Sequence, residues 1–466
     1  MNTTVTTIRL SQLVTDLNFL NLTNQIIKQA DSQYILLIDD KNNPVKLKNS
    51  CLDLMQMTMN KNLKAGMAYA DYENITKGKV EEVHLLKQHI GRVRDNQDYG
   101  KVFLFSKSYL EQVGGFDEDL KHHYIYDVRL KLSEVSEIVH IANKTDGSLY
   151  QVSASKEKTN VFDYLLSDEN VQKEAEKVLT DHLKQIGAYL SPKQKYEKRP
   201  IASTKPLKKA TIIIPVNNRP KFIIEAIESA QNQTIQDIEI IVIVNGGKID
   251  PTNLSVKRYI KGGDKYSADK PEVRLITTDI NNIGYCLNLG VNNAHGEYYI
   301  QLDSDDRLKS DAVEKIIQKF ESDLTIGMVI GSYEVWEKLD SGEIIRDKNI
   351  PVVTHSEWTE ENGRNNLLRI NGAGAPRAIP IQLIKDISYF EMNENLCTRN
   401  YGEDYDMVLR ISEKYKMGRI YNPIYEVIRH SGGTDHSIDQ ETVDRNDEAK
   451  DWVRKETIKR RQAINK

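Results

Sequence analysis

Four short, nearly unbroken apolar runs do most to limit what this chain can fold into. They are Ala210-Thr211-Ile212-Ile213-Ile214-Pro215-Val216, Ile238-Glu239-Ile240-Ile241-Val242-Ile243-Val244, Val273-Arg274-Leu275-Ile276, and residues 298–302. Each has the length of a strand, and a run apolar on both faces belongs in a buried parallel sheet. Between them lie helical patterns. Residues 222–231 carry Ile223, Ile224, Ile227 and Ala230 on one face, and residues 283–294 form a second helix. Alternation of strand and helix predicts a parallel α/β sheet with ligands at the carboxyl ends of its strands. Asn245-Gly246-Gly247 and Asp303-Ser304-Asp305-Asp306 stand at two such ends.

The second of these carries chemistry. Carboxylates at i and i+2 on a strand end project to the same side. Asp303 and Asp305 can therefore share a hard divalent cation through oxygen ligands. An acidic turn, with Asp306 or Ser310 capping the next helix, is the competing reading. Two later clusters bear on the choice. Glu403-Asp404 precedes an amphipathic helix start, where acidic residues can serve only to offset the helix dipole. An acid there could equally take the proton of an acceptor hydroxyl, since an alcohol does not ionise at neutral pH. Arg429-His430-Ser431-Gly432 offers His430 as a further metal contact, with His436 close enough to compete. Asn371-Gly372-Ala373-Gly374-Ala375-Pro376-Arg377 fails as a dinucleotide loop, because Arg377 takes the third glycine position. It reads instead as part of an acceptor-lining loop, 355–377, in which Trp358 is either a sugar-stacking ring or core.

The N-terminal third repeats the later pattern. Residues 32–39 line up with 296–303 at an offset of 264 (298 − 34), and the same offset pairs Asn18 with Asn282 and Asn24 with Asn288. Residues 66–73 resemble 327–334, and 126–134 resemble 405–413. The copy lacks the acidic parts: Lys41 stands where Asp305 stands, and Ile125 where Asp404 stands. Nothing before Asn18 is expected to match the first strands, 211–244. The expected organisation is a truncated, inactive α/β domain over 1–160 used for structure, assembly or acceptor binding. A helical segment and basic linker follow over 161–207, then the main domain over 208–440 and a charged helix over 441–466.

Composition bounds the rest. With 39% hydrophobic and 28% charged residues the chain reads as a soluble globular protein, and a net charge of −4 gives no general attraction to nucleic acid or anionic membranes. No apolar run approaches the roughly 18 residues of a membrane span, and residues 1–20 lack the pattern of a secretory signal. Peripheral contact with a membrane-bound substrate stays open, as does a homo-oligomer. Cys51, Cys286 and Cys397 are scattered, which fits a cytoplasmic location better than a disulfide framework.

Taken in order, residues 208–440 resemble glycosyltransferase family 2, with its GT-A (Rossmann-like) fold. The resemblance rests on Ile212 to Arg219, Ala226 to Thr234, Asn282-Ile283-Gly284, Asn288-Leu289-Gly290, and Ala294 to Asp306, followed by Glu403-Asp404 and Arg429 to Gly432. It implies an inverting transfer from a nucleotide-diphosphate sugar to an acceptor hydroxyl on a glycan, lipid-linked or protein-linked saccharide. Carried over, Asp303, Asp305 and His430 would hold Mn2+ or Mg2+ on the diphosphate. Asp404 would be the general base, with Glu403 beside it. Pro215, Asn218 and Arg219 would line the nucleotide pocket. The family's acidic pair after the second strand is missing, and uncharged Asn245 takes that place. UDP is the first expectation for the nucleotide. A polymerase-like two-domain enzyme and a non-catalytic saccharide- or nucleotide-binding scaffold are the alternatives.

Overall fold

The computed structural model describes residues 4–13, 18–143, 147–153, 168–202, 204–339, 341–355, 362–370, 374–392, 394, 401–430 and 439–466. Trp358, Cys397 and His436 lie outside the described residues. The chain forms two compact units: unit 1 comprises Met1–Tyr189 with Arg454–Lys466, and unit 2 comprises Leu190–Val453.

Unit 1 has two sheets. The first is built from β1 (Val5–Arg9), β2 (Tyr34–Ile38), β4 (Ala65–Ala70), β7 (Val102–Ser106) and β8 (Glu137–Ile141), in the order β1-β2-β7-β4-β8. The second holds β3 (Val45–Leu47), β5 (Tyr72–Thr76), β6 (Lys79–Val83) and β9 (Tyr150–Ser153). Helices α1 (Phe19–Gln29), α2 (Cys51–Lys61), α3 (Lys107–Gln112), α4 (Tyr124–Val135) and α5 (Glu169–Gln185) accompany them.

Unit 2 is built on a nine-stranded sheet. Its strands are β10 (Lys208–Val216), β11 (Ile238–Val244), β12 (Glu272–Thr277), β13 (Gly296–Gln301), β14 (Arg307–Leu308), β15 (Ile326–Lys338), β16 (Ile344–Arg346), β17 (Arg377–Pro380) and β18 (Lys416–Arg429). They follow the order β12-β11-β10-β13-β17-β15-β18-β14, with β16 on β15. The helices are α6 (Phe222–Gln231), α7 (Thr252–Lys257), α8 (Ile283–Asn293), α9 (Ala312–Ser322), α10 (Gly363–Asn366), α11 (Ile381–Asp386), α12 (Glu403–Lys414) and α13 (Gln440–Ile464).

The apolar runs behave as their composition dictates. All seven residues of β11 are buried, and β10 to β13 pair in parallel. β-Branched side chains suit such a two-sided core. Pro215 is tolerated inside this sheet because the last pair between β10 and β13 is Ile213 with Gln301. Its missing N–H would point to that side, beyond the ladder. Helix α8 begins at Asn282, whose side chain accepts from the Tyr285 N–H at 2.8 Å. Gly290 lets α8 close onto the sheet, since a Cβ there would come within 2.7 Å of Ile213.

The two main sheets share a topology. In unit 1, β1 and β2 are parallel, β7 is antiparallel to β2 and to β4, and β8 is parallel to β4. In unit 2, β10 and β13 are parallel, β17 is antiparallel to β13 and to β15, and β18 is parallel to β15. Helices fall in matching places: α1 and α8 precede β2 and β13, and α4 and α12 precede β8 and β18. This corrects one expectation. Strand β1, before Asn18, occupies the place of β10. Its sequence gave little warning, because two threonines and an arginine replace the apolar run of β10. Among the described residues, strands β11 and β12 have no counterpart in that sheet of unit 1.

Candidate functional site

Strand β13 delivers the acidic motif, as its sequence predicts. The Asp303 N–H donates to Tyr425 Oη at 3.1 Å, and Gln301 Nε2 donates to Asp303 Oδ1 at 3.2 Å. Burial raises the Asp303 carboxyl above its ordinary range, against the pull of Arg377, and the Asp305 charge adds to the rise. Asp306 is buried, and burial followed by its two acidic neighbours raises it further. It accepts the Ile428 N–H at 2.8 Å, so it ties the motif to β18. Asp306 therefore has a structural task, and its neighbours point elsewhere.

Asp305 Oδ2 receives Arg219 Nη1 and lies 3.0 Å from His430 Nε2. The His430 ring stacks on Phe222 at 4.2 Å between centroids, which fixes its orientation. Arg219, Asp305 and His430, three of the residues expected at the donor end, are thus brought together. Carboxylate and imidazole are ligand types that suit Mn2+ or Mg2+. Among the described residues, no group of three or more His, Cys, Asp or Glu side chains is arranged to hold a metal ion.

The first turn of α12 supplies the second part. Gly402 has φ 91°, a left-handed conformation that glycine adopts freely, and it swings the chain into the helix. Glu403 and Asp404 follow at the helix start. Arg377, first residue of β17, reaches Asp404 Oδ2 at 3.1 Å and the Gly374 carbonyl at 2.8 Å. The two neighbouring carboxyls are driven apart. Burial, with Asp404 adding to it, pushes Glu403 up to about 8. Burial also works against the Asp404 charge, but Arg377, Lys450 and the Tyr405 N–H outweigh it and hold Asp404 below the ordinary range. Arg377 itself is raised: burial opposes its charge, and Asp404 and Asp303 overcome that. Its Nε is buried with no hydrogen-bond partner among the described residues.

The expected nucleotide-pocket residues line the ends of β10 and β11. Asn218 adopts φ 50°, which asparagine tolerates, and its N–H donates to Asp250 Oδ2 at 2.8 Å. Asn217 Nδ2 donates to Asn245 Oδ1 at 2.9 Å, and Asn245 Nδ2 donates to Asn281 Oδ1 at 3.1 Å. Two residues here escaped sequence reasoning. Asp250 is buried and also accepts the Thr252 N–H at 2.8 Å, so it orders the turn after β10 and the start of α7 together. The signal was an aspartate shortly after a Gly-Gly strand end. Arg377 was read as a spoiled glycine position in an acceptor-lining loop, with no role for its charge. A lone arginine at the start of an apolar strand was its only signal.

Residues 211–367 match the family model described as glycosyl transferase family 2. Chondroitin synthase from Escherichia coli is 28% identical over 249 residues, covering 52% of this chain and 32% of that protein. An uncharacterized glycosyltransferase from Rickettsia felis is 28% identical over 362 residues, covering 73% of this chain and 55% of that protein. The chain thus spans about a third and about half of these two relatives. S. aureus TarS 1-349 in complex with UDP-GlcNAc aligns with a TM-score of 0.36 and 17% identity, over 50% of this chain and 61% of that one. The parallel β10–β13 core, the acidic strand end and the match over residues 211–367 together identify a glycosyltransferase family 2 domain of GT-A fold in this chain.

Proposed function

We propose that unit 2 is an inverting, metal-dependent glycosyltransferase. It moves a sugar from a nucleotide-diphosphate donor, UDP first among candidates, to a hydroxyl of a saccharide acceptor that is free, lipid-linked or protein-linked. The observation that carries this reading is the unequal pair at the start of α12: Glu403 raised to about 8 beside Asp404 held ionised. Neighbouring carboxyls pushed apart in this way mark assigned proton-transfer roles. Asp404 accepts the acceptor proton as the new bond to the sugar forms, and Glu403, protonated at neutral pH, donates a hydrogen bond to the acceptor. Arg377 keeps Asp404 charged. Pro215, Asn218, Arg219 and Asn245 shape the nucleotide end.

Asp303, Asp305 and His430 would hold the Mn2+ or Mg2+. When bound, the cation supplies positive charge to the departing diphosphate. The chain's own part is to position these donors, through Tyr425, Gln301 and the Phe222 stack. Among the described residues no helix is long and apolar enough to cross a membrane. A cytoplasmic site of action belongs to the proposal, supported by the scattered cysteines.

A panel of nucleotide sugars, assayed for hydrolysis and for transfer with Mn2+ and Mg2+, tests the reading. Asp404→Asn should lower kcat by about 10²- to 10⁴-fold, the range for loss of a positioned base. Wild-type turnover by Asp404→Asn or Asp303→Ala would rule out these assignments.

A further inference from the structure

Unit 1 contains a cavity of about 200 Å³ at the carboxyl end of β2. Its walls include Asp39, Tyr99, Phe103, His123, Tyr124 and Arg129. The shared topology gives this cavity a meaning. Asp39 stands where Asp303 stands, directly after the strand. Leu104 pairs with Leu36 as Ala378 pairs with Ile300, so one residue back Phe103 takes the place of Arg377. Tyr124 and Ile125 take the places of Glu403 and Asp404 at the helix start. The cavity is therefore the counterpart of the acceptor end of unit 2.

The exchange of side chains is systematic. An arginine and two carboxyls have become a phenylalanine, a tyrosine and an isoleucine. Tyr124 Oη donates to Asp39 Oδ2 at 2.9 Å. Lys41, in the place of Asp305, lays its Nζ 4.5 Å from the Phe19 ring and 4.2 Å from the Tyr124 ring. That ammonium fills the position a metal ligand would need. The strands that form the nucleotide end, β11 and β12, have no counterpart here among the described residues. Donor binding and base catalysis are both lost, yet the concave acceptor end persists.

What remains is a concave lining of part-exposed polar groups, Asp95, Asp98 and His122 with Lys101, over a buried floor of Tyr99, Phe103 and Tyr124. Such a lining suits a polyhydroxylated ring, whose hydroxyls meet carboxylates, imidazole and ammonium. The volume lies below the ~300–1,000 Å³ typical of pockets for larger ligands, which favours one sugar unit of a chain over a nucleotide sugar. We propose that unit 1 is a non-catalytic saccharide-binding site that holds a sugar of the acceptor glycan. The ligand class rests on the transfer reading of unit 2, while binding is measurable without turnover.

The test uses the full chain and labelled di-, tetra- and octasaccharides of neutral, N-acetylated and uronate-containing types. Binding is followed by saturation-transfer NMR and titration. Ile125→Trp fills the cavity from the start of α4. The change His122→Ala, at an exposed lining position, removes a polar contact while leaving the buried side chains in place and decides the case if Ile125→Trp misfolds. The expected result is a loss of octasaccharide affinity of about tenfold or more, with KM rising for octasaccharide and not for disaccharide acceptors. Wild-type octasaccharide affinity in a folded variant overturns the proposal, as does failure of every oligosaccharide to bind the wild type. If no donor supports transfer but binding falls in Ile125→Trp, the reading of unit 2 fails and this one stands. If transfer proceeds and the variants match the wild type on long acceptors, this one fails alone.

Discussion

At the residue scale, Arg377 is the centre of the site's electrostatics. It is the counter-charge to Asp404 and lies within the field of Asp303. Removing one partner of a fully buried ion pair costs about 3–5 kcal/mol, and this pair is part-buried, its side chains 15% and 27% exposed. Arg377→Met should therefore lower stability by less than that, about 1–3 kcal/mol, measured by denaturant unfolding, and should also lower kcat. The two acids should respond differently. Glu403 is already neutral at pH 7, so Glu403→Gln should leave folding within about 0.5 kcal/mol of wild type. Both Asp303 and Asp404 were legible in the sequence as acids at strand and helix ends. Arg377 was not, because its importance comes from where β17 enters the sheet, a contact that local pattern does not encode.

At the element scale, Glu239 shows how the strand ends are held in register. It is buried near the start of β11. It accepts from Thr211 Oγ1 on β10 at 2.8 Å, from Arg274 Nη1 on β12 at 2.9 Å, and from the His295 N–H before β13 at 2.5 Å. Burial would raise its carboxyl, but the His295 N–H, Arg274 and Thr211 outweigh burial and hold it below the ordinary range. A depressed folded-state pKa means stability that is present above the unfolded value of about 4.3. That stability is lost as pH falls through the folded pKa. Glu239→Gln should cost about 1–3 kcal/mol at pH 7, and the gap to wild type should close in unfolding curves taken well below pH 4. Gly296, at the start of β13, faces the β10 backbone, where a Cβ would stand 2.5 Å from Ala210 C. Gly296→Ala should lower stability by about 1–3 kcal/mol through forced separation of the strands, read as a drop in Tm. The parallel core was legible because its apolar runs are unbroken. The antiparallel β17 was not, because its four residues are no longer than many loop segments, and β1 was hidden by its polar alternation.

At the scale of the whole molecule, one architecture appears twice with different side chains at the same strand end. The sequence repeat made the second copy visible, and the sheet order extends the correspondence to β1. Helix α13 has its own place in this plan. Residues 454–466 belong to unit 1, and Arg454, Thr457, Ile458 and Arg461 are fully buried. Gln462 Nε2 donates to the Ile186 carbonyl at 2.7 Å, and Asn465 Nδ2 to the Gly187 and Tyr189 carbonyls at 2.9 Å. Deleting residues 454–466 should lower the melting temperature of unit 1 by several degrees or more, since each lost 1 kcal/mol shifts Tm by about 2–4 °C in a unit of this size. Hydrogen exchange at α5 would localise the effect. The same feature sets an order of events during synthesis. Domains fold as units while the ribosome elongates the chain at about 5–20 residues per second. Unit 1 is interrupted in sequence by all of unit 2, so it is translated first and completed last. On the ribosome it waits, with the seat for residues 454–466 empty, until those residues arrive to close it.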